Sequence, residues 1–142
     1  MSTAHPGSFS LPNGNPKTVI VTGGAGGIGA QTVRSYHTAG CNVVVADLRY
    51  AQKTAEELIA SLSDSSRAMY HPADTTSWEE MKSLFREVKK RFGQIDTVIA
   101  NAGIMESQGF YDFEEDDRGE LKEPTEAYKV IDVNLRGTMN ST

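Results

Sequence analysis

The chain has 142 residues with 14 Lys and Arg against 19 Asp and Glu, and 38% of it is apolar, the make-up of an ordinary soluble domain with enough chain for one core. A net charge of −5 argues against a nucleic-acid or anionic-membrane partner. No apolar run approaches the roughly 20 residues of a membrane span, and a lone Cys41 cannot close an internal disulfide, which together predict a cytoplasmic, reducing setting.

Residues 1–16 carry Pro, Gly, Ser and Asn but no apolar h-region, so they are expected to form a flexible N-terminal arm rather than a signal peptide, ahead of one domain over 17–142. A strand is predicted at about 18–22, where Val19, Ile20 and Val21 lead into Thr22-Gly23-Gly24-Ala25-Gly26-Gly27-Ile28-Gly29. A helix follows from about Gly27 to Ala39, with Gly40 suited to a left-handed C-cap. Cys41 stands at the entry to the next strand and reads as a small core residue. That strand, 42–47, contains Val43-Val44-Val45-Ala46, an unbroken apolar run that suits a parallel strand covered on both faces.

The stripe Ala51, Ala55, Leu58, Leu62 predicts a second helix over 51–62, and a short third strand is expected at 67–70. The third helix, 77–92, has a capping box in Ser77 and Glu80 and a face made of Trp78, Met81, Phe85, Val88 and Phe92, with Gly93 as its stop. A fourth strand is placed at 95–100, a long loop at 101–124, and a fourth helix from about Thr125 with Tyr128, Ile131 and Leu135 on one face. The loop segment 106–123 holds eight acidic and two basic residues, either a docking surface or lid or a solvated insertion. His5, His37 and His71 show no metal-site spacing.

Strands alternating with helices imply an α/β fold: a Rossmann-type doubly wound parallel sheet, here partial, of about four strands in the order 3-2-1-4. In such a sheet a strand, a glycine turn and a helix N-terminus form a cradle for a dinucleotide pyrophosphate, because glycines let the backbone approach the phosphates. Asp47 ends the second strand 18 residues after Gly29, where a carboxylate can accept the ribose hydroxyls and repel a 2′-phosphate. That favours NAD over NADP, with Arg49 able to soften the preference. Asp47 as a plain turn or helix-start charge is the competing account.

Thr22-Gly23-x-x-x-Gly27-Ile28-Gly29, followed by Asp74, Asn101-Ala102-Gly103 and Asn134, resembles the short-chain dehydrogenase/reductase family over about 17–137. The tone is nearest its NAD-type alcohol and hydroxyprostaglandin dehydrogenase-like branch. The resemblance implies an oxidoreductase moving hydride between NAD(P) and a secondary alcohol or ketone. It assigns cofactor contacts to Gly23, Gly27, Ile28, Gly29, Asp47, Asp74 and Asn101, and a proton-relay part to Asn134. Asp74 could instead cap the third helix, Asn101 could be a turn former, and Asn134 could be a buried helix asparagine.

The family's chemistry uses a Tyr-x-x-x-Lys pair with a serine upstream, the lysine lowering a tyrosine pKa that is otherwise near ~10. Four residues after Tyr36, Tyr50, Tyr70, Tyr111 and Tyr128 come Gly40, Thr54, Asp74, Glu115 and Asp132. None is lysine, so the expectation is a truncated, inactive representative of the family. The alternative is a non-catalytic dinucleotide-binding or interaction module, pairing with a full-length relative through the fourth helix or an open sheet edge.

Overall fold

The computed structural model describes residues 14–107 and 114–142. The N-terminal arm expected over 1–16 therefore lies almost wholly outside the described residues, as does part of the acidic loop.

Four strands, β1 (Thr18–Thr22), β2 (Asn42–Asp47), β3 (Ala68–Pro72) and β4 (Thr97–Ile99), form one parallel sheet in the order β3-β2-β1-β4. That is the predicted order, and the apolar strands explain it. Val19, Val21, Val43 and Val45 face α1 (Gly27–Thr38) and α2 (Gln52–Ala60), packing with Val33, Ala55 and Leu58. Ile20, Val44 and Ala46 point to the other face and meet Met81, Leu84 and Val88 of α3 (Trp78–Phe92). The period-two alternation thus serves two cores, which is why both faces had to be apolar. Cys41 is fully buried, and burial pushes its thiol above the usual value, as suits a core residue.

The edges of the elements depart from the expected bounds. Residues 49–51 form a 3-10 turn before α2, and β3 extends to Pro72, tolerable because β3 is an edge strand whose inner register partner is Asp47. Gly40 has φ +94°, the left-handed conformation expected past α1. Most of the predicted face of α3 packs as expected: Met81 and Val88 are buried, Phe85 and Phe92 pack half-buried against the same cluster, and Leu84 joins them, while Trp78 departs from it at 55% exposed.

Half of the capping box also forms differently. Glu80 N–H donates to Ser77 Oγ at 3.4 Å, but the Glu80 carboxylate reaches past Ser77 to the Asp74 N–H at 2.9 Å. Ser77 N–H is already committed to the Asp74 carbonyl, so the carboxylate takes the next donor.

After the long loop, α4 (Thr125–Ile131) runs into a π-helical turn over Asp132–Arg136 and then a short α5 (Gly137–Asn140). Tyr128, Ile131, Leu135 and Met139 are each more than half exposed along this segment. Its inner side is tied down at Thr75: Asn140 Nδ2 donates to the Thr75 carbonyl at 2.8 Å, and Gly137 lies where a Cβ would come within 2.5 Å of Thr75 Oγ1. Among the described residues no helix is long and apolar enough to cross a membrane.

His71 on β3 is half-buried, and burial pulls its imidazole below the ordinary 6.5, with Glu87 acting in the opposite direction. Above 6.5 neither state is protonated, and the folded chain suffers no cost from His71. Below 6.5 the unfolded chain takes the proton first, so stability is lost as the pH falls through the folded pKa. His71→Gln is expected to flatten this part of the acid limb in denaturant melts run from pH 7 downward. An unchanged slope would refute the assignment.

Candidate functional site

The glycine turn joins β1 to α1. Gly23 has φ +64° and Gly27 φ +52°, a backbone region that L side chains rarely adopt. At Gly29 a Cβ would collide with the Gly23 carbonyl and come within 2.7 Å of Asn101 Nδ2, so only glycine allows the helix to pass this close to the strand ends. Gly26 and Gly27 differ: nothing lies within 4 Å of a Cβ at either, and both, with Ile28, are exposed. The N-cap of α1 is Gly26, with no side-chain cap bond. The first N–H groups of the helix therefore open onto a bare glycine shelf, the arrangement that suits an anionic group.

Asp47 is bonded directly to that turn. Its Oδ2 accepts the Ala25 N–H at 3.0 Å and its Oδ1 accepts the Leu48 N–H at 2.8 Å. A carboxylate has about four lone-pair positions, so two remain for hydroxyl donors. Its carbonyl accepts the Ala73 N–H at 2.9 Å, which holds the next residue, Asp74, beside it.

Asp74 is not the cap of α3; Ser77 is. Instead Asp74 Oδ1 accepts from Thr76 N–H at 2.8 Å and Thr76 Oγ1 at 2.7 Å, an Asx turn that shapes the segment after β3.

Asn101 is more than a turn former. Its Nδ2 donates to the carbonyls of Thr22 at 3.0 Å and Gly23 at 3.2 Å, and its N–H reaches Thr22 Oγ1 at 3.1 Å. Ala102 N–H uses the same hydroxyl at 3.1 Å. Thr22, buried at the end of β1, is thus the hub that ties β4 to the glycine turn. The sequence marks Thr22 only as the first residue of the glycine motif and does not show what its hydroxyl bonds.

Asn134 stands in the π-helical turn and is exposed, not buried as one account had it. Its Oδ1 accepts the Ile104 N–H and its Nδ2 donates to the Ile104 carbonyl, both at 2.8 Å. Both ends of the amide are committed to the segment that follows Asn101-Ala102-Gly103. The structure therefore joins Asp47 and Asn101 to the glycine turn by hydrogen bonds, at Ala25 and at Gly23, and packs Gly29 against the Gly23 carbonyl and the Asn101 amide. Asp74 attaches through Ala73, and Asn134 through Ile104.

Among the described residues no tyrosine beside this unit is set up as a base. Tyr70 donates its hydroxyl to the Leu48 carbonyl at 3.1 Å, and burial, with Asp47 adding to it, pushes its phenol above the usual value.

Comparisons with known proteins agree with this architecture. The family model described as short chain dehydrogenase matches residues 17–142. The chain is 32% identical over 139 residues to the short-chain dehydrogenase/reductase ascJ of Acremonium egyptiacum, covering 98% of this chain and 44% of that one. It is 33% identical over 132 residues to prx4 of Penicillium rubens, another short-chain dehydrogenase/reductase, covering 93% and 36% respectively. Among solved structures, a short-chain dehydrogenase/reductase (glucose/ribitol dehydrogenase) from Brucella melitensis superposes with a TM-score of 0.76 at 26% identity, over 89% of this chain and 49% of that one. The chain thus spans less than half the length of the relatives it matches, and across that span it belongs to the short-chain dehydrogenase/reductase family.

Proposed function

We propose that this chain is the dinucleotide-binding part of an oxidoreductase that moves hydride between NAD, in preference to NADP, and a secondary alcohol or ketone. The observation that carries the reading is the bond between Ala25 N–H and Asp47 Oδ2. It fixes a carboxylate next to an uncapped helix N-terminus, the pairing that a ribose diol and a pyrophosphate need. Gly23, Gly27, Ile28 and Gly29 would hold the pyrophosphate, Asp47 the adenosine ribose, and Asp74 the surroundings of the adenine. Asn101 holds the turn to β4, and Asn134 would take part in proton relay. The bound nicotinamide supplies the hydride acceptor or donor. Within these 142 residues no tyrosine is followed four positions on by lysine, so they are expected to bind nucleotide without turning it over.

A second reading rests on the exposed apolar row Tyr128, Ile131, Leu135 and Met139. Such a row suits a module that pairs with another copy or a longer relative. One experiment addresses both. Calorimetric titration with AMP and NAD is run on protein characterised by sedimentation, with NADH formation followed in the presence of a simple secondary alcohol. The lead reading expects saturable binding and no NADH, and a concentration-dependent dimer supports the second. Folded protein with no heat of binding overturns the nucleotide reading, and NADH formation overturns the expected inactivity.

A further inference from the structure

We propose that Glu80 is a positioning residue that sets discrimination against a 2′-phosphate, by holding Arg49 away from the ribose carboxylate Asp47. The proposal rests on the nucleotide reading above. Arg49 opens the 3-10 turn just past β2, two residues from Asp47, and its side chain is 74% exposed. It is the cation nearest in sequence to Asp47, and an arginine at this place can serve a 2′-phosphate. In this structure its Nη2 faces Glu80 Oε1 at 4.0 Å instead.

The two partners are not equally free. Glu80 Oε2 is pinned by the Asp74 N–H at 2.9 Å, and Glu80 lies in the first turn of α3, where the helix dipole favours a carboxylate. Arg49 is a long side chain on an exposed turn. The carboxylate is therefore the fixed post and the guanidinium the tethered group. A 2′-phosphate would have to draw Arg49 off Glu80 while standing beside the negative Asp47. A ribose with a free 2′-hydroxyl makes neither demand. One glutamate thus links the Asp74 segment to the residue that could have reversed the preference set by Asp47.

The test uses the full chain and two probes, 5′-AMP and adenosine 2′,5′-bisphosphate, with the ratio of their dissociation constants as readout. Glu80→Gln keeps an acceptor for the Asp74 N–H and removes the charge. It is expected to shift the ratio about threefold toward the bisphosphate, the scale of an exposed ion pair. Arg49→Ala in the unmodified background is expected to shift it less than about twofold, because the guanidinium is already engaged. In the Glu80→Gln background the same change should cancel the gain. This non-additivity is a signature that a merely structural Glu80 would not produce. An unshifted ratio in Glu80→Gln, or a large loss of bisphosphate affinity in Arg49→Ala alone, overturns the proposal. Should folded wild-type protein bind neither probe, it is the nucleotide reading that fails, and this inference falls with it.

Discussion

Gly29→Ala is expected to destabilise the chain by about 2 kcal/mol, whereas Gly26→Ala is expected to leave stability nearly intact and weaken ADP binding about tenfold. The two glycines lie three residues apart in one turn, yet they are glycine for different reasons. A methyl at Gly29 runs into the Gly23 carbonyl and comes within 2.7 Å of Asn101 Nδ2, two groups that are themselves hydrogen-bonded at 3.2 Å. Two of the three nearest atoms are backbone, so the neighbours cannot rotate away. Relief requires that α1 move off the end of β1 or that the Asn101 bonds break. Overpacking of this kind costs about 1–3 kcal/mol, and the better helix propensity of alanine, up to about 1 kcal/mol, offsets only part of it.

Gly26 has φ −143° and ψ 171°, extended backbone open to any residue, and nothing near its Cβ position. Alanine there costs only the preference of an N-cap for glycine, less than about 1 kcal/mol. A methyl on the open shelf does, however, occupy the space through which phosphates approach the helix N–H groups. Thermal melts and ADP titrations of both variants check the pair. Equal melting temperatures for Gly29→Ala and wild type would remove the steric account, and unchanged ADP affinity in Gly26→Ala would remove the shelf.

How much of this was legible in the sequence depends on how local the cause is. The sheet order and the β1–turn–α1 unit follow from apolar runs and glycine spacing, and Asp47 falls at a strand end because β2 runs out of apolar residues there. The exposed row on α4 was visible as a three-and-four spacing, but not that a π-helical turn interrupts it at Asp132. One extra residue per turn leaves no mark in composition. Glu80 was read as a partner of Ser77 because a capping box is a local rule. It bonds the Asp74 backbone and faces Arg49 because β3 and the β2 turn lie alongside, a fact of tertiary structure. The contact of Gly137 and Asn140 with Thr75 spans more than 60 residues and has no sequence pattern at all.

The Thr22 hydroxyl is the clearest case of a long-range role in a residue that the sequence shows only as the start of the glycine motif, and Thr22→Val tests it. Valine matches the shape, so the core around β1 keeps its packing, and what is lost is the oxygen. Ala102 N–H then loses the acceptor that held it at 3.1 Å, and Asn101 N–H keeps only the Ile99 carbonyl at 2.9 Å. Leaving a buried donor unsatisfied costs about 1–3 kcal/mol; the Ala102 amide is only half-buried, but the hydroxyl's bonds to the Asn101 N–H and the Ile99 carbonyl are lost with it, and we expect about 2 kcal/mol in all. Thr22→Ser keeps the oxygen and loses one methyl, about 1 kcal/mol. The ranking therefore puts valine below serine, the reverse of what burial of apolar area alone would give. The consequence concentrates on β4, which is three residues long and pairs only with β1 among the described strands. Hydrogen exchange at the Ala102 amide should accelerate in Thr22→Val and stay protected in Thr22→Ser. If valine proves as stable as wild type with Ala102 still protected, the clamp between the glycine turn and β4 is held by the Asn101 side chain alone.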